Sequence, residues 1–576
     1  MLDNTPIDCI LVGYNDMDFE RFATLQKEMA DHSGAYHEIK ANSLIFQGRR
    51  VTYMDLINHA ITLATGQNPH LNVFEAPLQG ICYLTSYLKK KDFDVEVINF
   101  FTYEKEKFKQ LLSRPSHAVA ITTTFYIDNA PIIEIVEFIR RYNPNTKIIV
   151  GGPHIFNLAS DLDQETQEYV FETILGADIY VIDSQGENTL SQVLARLRGG
   201  QPLSDVPNLY YRSADNAFRK TARVVENNDL DQNAIEWSYF DRDLITPITY
   251  LRTARSCPYT CAFCNYPTMA GAYVNSSLET VEKELRTLYE LGATDIVFVD
   301  DTFNYPLPRF KRLLRMMINN QFHFRWVSFL RCSNVDEEAL DLIKESGCIG
   351  VLLGIESGDQ RILKLMNKSA KIERYRWGIN ELNKRDISSF ASLICGFPGE
   401  TEASINNSIA FINETSPTFF NVQLYYHDTR APIQNCAEQF EIQGAGYNWK
   451  HNSMNWKEAV GWAEYMFKNI HNSLPLSLYG FSLWGISYLI SRGISMQQIK
   501  EFGRITLPML LHGFSDDFSL DFSQEERQLV DLFKDTALHI TPAKVIGVKS
   551  CNQAFPVHAT TCVQPGEHVQ GTDGYG

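Results

Sequence analysis

The chain has 576 residues, 44% hydrophobic and 21% charged, a globular mix that excludes disorder, collagen-like repeats and coiled coil as the main architecture. At about 150 residues per domain it should fold into three or four domains. Lys plus Arg number 52 against 69 Asp plus Glu, a net charge of −17, which disfavours nucleic acid as a partner and points to a small-molecule substrate.

The 11 cysteines are too sparse for a secreted disulfide scaffold. The opening segment MLDNTPIDCILVGYND carries acidic residues and only a short apolar run, so no signal peptide is expected and a cytoplasmic location follows.

Residues 1–205 alternate strands (8–13, 94–100, 118–123, 146–150, 177–182) with periodic helical segments such as 78–91, 132–142 and 187–197, which predicts an α/β, doubly wound, Rossmann-like domain. The insertion 14–77 after the first strand is too long for a plain loop and should carry structure of its own or line a ligand. A linker is expected over 206–247. A second alternating run over 248–428 supplies six βα-type strands, too few for an eight-stranded barrel, so a partial (β/α)6 barrel is expected. Within it a helix should open at Ser276, with Glu279 completing a capping box, and stop at Gly292. Residues 429–576 read as mostly helical with a mobile Gly-rich tail. The stretch 474–490 lacks charge but is interrupted by Pro475, Gly480 and Gly485, which predicts a helix packed on protein rather than a membrane span.

Cys257, Cys261 and Cys264 form CxxxCxxC just after the first barrel strand. Three thiolates this close suit three irons of a [4Fe–4S] cube, leaving the fourth iron open to a ligand that is not protein. Structural zinc would require a fourth nearby ligand, and none is present in the motif. Cys332, Cys348 and Cys395 read as small buried residues, while Cys436, Cys551 and Cys562 are too scattered to form a second cluster.

The motif spacing, Phe263 before the last cysteine and the six-strand count resemble the radical S-adenosylmethionine (SAM) superfamily. In order along the chain, VDD at 299–301, Arg331, GIESG at 354–358 and ICGFPGET at 394–401 close successive strands, as in that superfamily. The resemblance implies that the open iron chelates SAM. It also implies SAM contacts from Phe263, Asp300 or Asp301, Arg331, Glu356, Ser357, Ile394 and Gly396.

The N-terminal domain resembles the cobalamin-binding domain of class B radical SAM enzymes. Tyr14, Asn15, Asp16, Thr122, Thr123, Thr124, Gly151, Gly152, Gln185, Gly186 and Glu187 are thereby implied as cobalamin contacts. The DxHxxG signature of His-ligated cobalamin is absent, since Asp16-Met17-Asp18 has no histidine two residues on. A narrower resemblance, through GYNDMDFERF, SGAYHEIKANSLIFQGRRVTYMDLINHA and RSCPYTCAFCNYP, is to the radical SAM P-methyltransferases of phosphinate-antibiotic pathways.

These resemblances imply a methylcobalamin-dependent methyltransferase acting on an unactivated carbon or phosphinate phosphorus of a small natural-product intermediate. In the family's scheme a 5′-deoxyadenosyl radical takes hydrogen from substrate, which then takes the methyl from methylcobalamin. A flavodoxin- or ferredoxin-like electron donor is implied, with no nucleic acid and no membrane partner. The alternative is a cobalamin-associated rearrangement, ring contraction or cyclisation without methyl transfer.

Overall fold

The structure is a computed structural model that describes residues 6–478 and 482–539; Gly480, Cys551, Cys562 and the Gly-rich tail lie outside them. Two seven-stranded sheets organise the chain.

In the first sheet, Ile7–Tyr14 lies between Val95–Phe100 and Ser116–Thr122, followed outward by Lys147–Gly151 and Ile179–Val181, all parallel. Every residue of Ile7–Tyr14 is buried, as a central strand covered on both faces must be. One face packs on Phe101, Phe108, Ile135 and Ile139, the other on Leu88, Val193 and Leu194. The strand order reverses beside Ile7–Tyr14, which opens a crevice at the carboxyl ends of the strands. Leu209–Arg212 and Phe218–Lys220 extend this sheet antiparallel, so part of the stretch expected as linker continues the first domain's sheet.

The insertion forms helices Phe19–Glu28, Ala35–Ala41 and Tyr53–Thr65 and a hairpin pairing Leu44–Phe46 with Arg49–Val51. It ties the first domain to the rest. Glu38 accepts from the Leu424 amide (2.7 Å), Asn42 Oδ1 from the Leu478 amide (2.6 Å), and the Asn42 carbonyl from Ser477 Oγ (2.9 Å).

The second sheet runs in chain order: Ile248–Leu251, Asp295–Phe298, Arg325–Leu330, Cys348–Glu356, Ser388–Cys395, Phe419–Leu424 and the two-residue Leu474–Pro475. The six expected strands are present; the seventh is too short to show periodicity and exists because Phe419 and Phe420 pair with it. Helix Leu278–Leu291 is capped by Ser277, one residue later than expected. Its side chain accepts from the Thr280 amide, so no Glu279 capping box forms.

The C-terminal region is not only helical. Gln443–Ala445, Asn448–His451 and Met454–Asn455 make a small antiparallel sheet, its first reversal passing through Gly446 at φ 61°. The uncharged stretch divides between Leu474–Pro475 and helix Leu483–Ser491, which packs against the barrel. Trp484 places its ring 6.1 Å from that of Tyr250 and 5.9 Å from that of Phe329. No helix among the described residues is long and apolar enough to cross a membrane.

Candidate active site between the two sheets

The three cysteines sit on a loop fixed at both ends. Its root, Ala254–Arg255, pairs with Val274–Asn275. Asp300 locks the same root by accepting from the Thr253 amide (2.7 Å), Thr253 Oγ1 (2.6 Å) and the Ala254 amide (2.9 Å). Farther on, the Ala262 amide donates to Met366 and its carbonyl accepts from Ile433, both at 2.8 Å.

All three thiols are free, and Cys257 Sγ lies 3.3 Å from Thr302 Oγ1. Burial pushes the Cys264 thiol up to about 11. A bound metal would reverse that cost, since thiolate is the ligating form. Among the described residues no three Cys, His, Asp or Glu side chains converge on a single ion; a cube instead takes one thiolate at each of three irons. Beside the loop, Arg331 stacks 3.6 Å from the centre of the Tyr259 ring, with its Nη2 buried and unpartnered. A buried guanidinium nitrogen without an acceptor has the chemistry to meet a carboxylate.

The other residues expected to contact SAM divide by what they already touch. Asp300 is consumed by the loop root, whereas Asp301 opens into the central cavity, where enclosure raises its carboxyl to about 6. Glu356, at φ 62°, is paired with Lys368 (2.6 Å) at a register irregularity closing its strand. Lys368 in turn lies 5.5 Å from the centre of the Phe263 ring. The Ser357 hydroxyl is held within the fold, 3.3 Å from Ser408 Oγ. Gly396 (φ 98°) faces the C-terminal sheet, where a Cβ would lie 2.6 Å from Trp449. Ile394 is half-buried on the fifth barrel strand.

A cavity of about 400 Å³ lies between the carboxyl ends of the first sheet and the barrel mouth. Thr122, Thr124, Gly151, Gly152, Gln185, Gly186 and Glu187 line one side, and Tyr250, Arg252, Tyr266, Val299, Asp301 and Trp484 the other. The glycines leave backbone bare where side chains would not fit. A Cβ on Gly151 would stand 3.2 Å from Val181 Cβ, and one on Gly152 (φ 110°) 2.9 Å from the Thr123 amide. Such a cradle suits close approach of a large cofactor's tail.

Four expected cobalamin contacts point elsewhere. Tyr14 stacks on Phe74 (3.6 Å between centroids), Asn15 donates to Glu134 and the Pro131 carbonyl, Asp16 accepts from Asn72, and Thr123 Oγ1 donates to the Gly151 carbonyl. Gln185 lines the cavity, but its amide is already committed to Glu226, Asn228 and Arg255.

Sequence reasoning missed Gln79 and Gly80, at the start of the helix after the insertion, and Arg252, Tyr266, Trp484 and Lys368. Only Arg252 carried a signal, a charge closing a strand directly before the cysteine loop.

The class follows from this arrangement of cysteine loop and strand ends. Residues 251–412 match the Radical SAM superfamily, which identifies the barrel as a radical SAM domain. An uncharacterized methyltransferase of Pyrococcus horikoshii is 25% identical over 372 residues, 62% of this chain and 77% of the relative. The anaerobic magnesium-protoporphyrin IX monomethyl ester cyclase of Cereibacter sphaeroides is 24% identical over 387 residues, 64% of this chain and 61% of the cyclase.

Among solved structures, the radical SAM methyltransferase TsrM of Kitasatospora setae, with cobalamin and a [4Fe-4S] cluster bound, superposes with a TM-score of 0.55. It is 16% identical, over 79% of this chain and 96% of TsrM. The cobalamin-dependent SAM radical enzyme OxsB with aqua-cobalamin also scores 0.55, at 14% identity, over 92% of this chain and 80% of OxsB. At these identities the likeness establishes a shared fold.

Proposed function

We propose that the chain is a cobalamin-dependent radical SAM methyltransferase acting on an unactivated carbon or a phosphinate phosphorus of a small natural-product intermediate. The observation that carries this reading is the cavity walled by the glycine cradle of one sheet and the barrel mouth of the other. On the loop after the first barrel strand, Cys257, Cys261 and Cys264 would hold the cluster. Arg331, with Glu356 set by Lys368, would bind SAM beside Phe263. Thr122, Thr124, Gly151, Gly152 and Gly186 would hold the corrin tail. Bound there, these cofactors would supply reductive SAM cleavage and a transferable methyl group.

The protein's own part is placement and exclusion of water. Tyr250, Val299 and Trp484 give the barrel side an apolar wall, and Asp301 beside Tyr266 offers a carboxyl able to take or release a proton near neutral pH. Free cysteines and a cluster loop fit a reducing, cytoplasmic setting with a flavodoxin- or ferredoxin-like donor.

The test is anaerobic turnover with cobalamin, reductant and candidate intermediates. Formation of S-adenosylhomocysteine and 5′-deoxyadenosine together with a methylated product is expected. 5′-Deoxyadenosine alone, with a rearranged product, would replace methyl transfer by a cyclisation or ring contraction.

A further inference from the structure

Tyr250 and Arg252, two residues apart at the end of the first barrel strand, both face the cavity. Arg252 Nε is buried without a hydrogen-bond partner, and the guanidinium lies 4.3 Å from the centre of the Tyr83 ring. Among the described residues no carboxylate forms an ion pair with it; Glu187, Asp301 and Glu284 act on it only through space, and it hydrogen-bonds to Tyr83. Burial opposes its charge, but Tyr83 and Glu187 keep it fully protonated.

Several other buried cations are answered within the fold, although Arg331 beside the cysteine loop also keeps a buried, unpartnered Nη2. Lys368 meets Glu356 at 2.6 Å and Arg492 meets Glu75 at 3.0 Å. Arg255, three residues beyond Arg252, has no carboxylate either, but Gln185, Asn228 and Asn227 accept from it at 2.6–2.7 Å. Arg252 is left with its charge facing an enclosed space. A desolvated guanidinium is costly without a counter-ion, and its planar fork fits two oxygens of one anion.

We propose that the cavity takes a substrate bearing an oxyanion, a carboxylate or a phosphorus oxyacid, and that Arg252 is the residue that docks it. This rests on reading the cavity as the substrate site. Tyr83 backs the guanidinium so that its free edge is fixed. The aromatic wall of Tyr250 and Trp484 keeps water from screening the pair, which strengthens it. The anion docks beside Asp301 and Tyr266, which places the neutral remainder of the substrate between barrel and glycine cradle.

The experiment is calorimetric titration of anaerobic holoprotein with phenylphosphonate and benzoate, against neutral benzamide. Both anions should bind at least about tenfold more tightly than benzamide. R252Q should bring them to the benzamide level, and R252K should restore part of the difference, while cobalamin content and SAM affinity stay unchanged. The assignment is overturned if neither anion binds saturably, if benzamide binds equally well, or if R252Q leaves anion affinity intact. It is also overturned if R252Q strips cobalamin or weakens SAM, since the guanidinium would then serve the corrin's nucleotide phosphate or the SAM carboxylate. Should R252Q not fold, the wild-type comparison of anion and amide together with R252K decides. Failure of the wild type to bind cobalamin or cleave SAM would instead remove the methyltransferase reading, leaving the anion titration interpretable.

Discussion

Cys261 is the most enclosed of the three loop cysteines, held beside the backbone bonds that join Ala262 to Met366 and Ile433. Removing its sulfur should leave the loop's anchors intact and take one ligand from the cube. C261A should lose the visible iron–sulfur absorbance and 5′-deoxyadenosine formation together; SAM cleavage by anaerobic C261A would refute the cluster assignment. Glu284 tests the core rather than the site. Buried on helix Leu278–Leu291, it accepts from the Ile235 amide (3.2 Å), and burial raises its carboxyl from 4.5 to about 8. The native state therefore binds this proton more tightly than the unfolded chain, so the contribution is complete below about pH 4.5 and is lost as pH rises through about 8. Glu284→Gln removes that titration, so its melting temperature relative to wild type should climb between about pH 5 and pH 9. A pH-independent difference would contradict it. The cysteines were legible because metal ligation fixes residue type and spacing. The duties of Asp300 and Glu356 were not. Which of two adjacent aspartates pins a loop, and whether a lysine 12 residues on reaches a carboxylate, depends on tertiary approach.

Helix Leu483–Ser491 shows the same limit one level up. Its lack of charge announced burial, yet the partner surface was invisible because it lies on strands more than 100 residues earlier in the chain. Close packing there can be measured at Gly350, on the fourth barrel strand, where a Cβ would stand 3.0 Å from Leu483 Cδ1 and 3.3 Å from the Ser388 carbonyl. Gly350→Ala should destabilise the protein by about 1–3 kcal/mol through overpacking. Gly461 is the matched control. It sits in helix Trp456–Asn469 with nothing within 4 Å of its Cβ position, so Gly461→Ala should be stabilising by about 0.5–1 kcal/mol. Denaturant melts of the two variants should move in opposite directions; parallel shifts would mean that the helix does not press on the barrel. Long apolar strands of both sheets were readable from their composition. The strand Leu474–Pro475 and the small sheet around Trp449 were not, being too short for any period and held by what they pair with.

At the scale of the whole molecule, the two sheets meet over one cavity, and the insertion between the first and second strands of the first domain straps them together through Glu38 and Asn42. The cysteine loop and the glycine cradle are nonetheless built from separate backbone bonds. Asp300 and Met366 fix the loop, whereas Thr123 and Val181 crowd the cradle. Occupancy of the two sites should therefore be separable by substitution. A large side chain at Gly151 has no room beside Val181 and can extend only into the cavity, where it would displace the corrin tail. Wild type purified anaerobically with cobalamin should retain about one equivalent per chain, as one switch-point crevice implies. It should be base-off and without a nitrogen signal in the cob(II)alamin spectrum, since the DxHxxG histidine is absent and Asp16 is bonded to Asn72. Gly151→Trp should reduce cobalamin to a small fraction of that while leaving iron content and abortive 5′-deoxyadenosine formation in place. Loss of iron along with cobalamin would show that the two halves fold as one cooperative site, and full cobalamin retention would remove the cradle from the corrin.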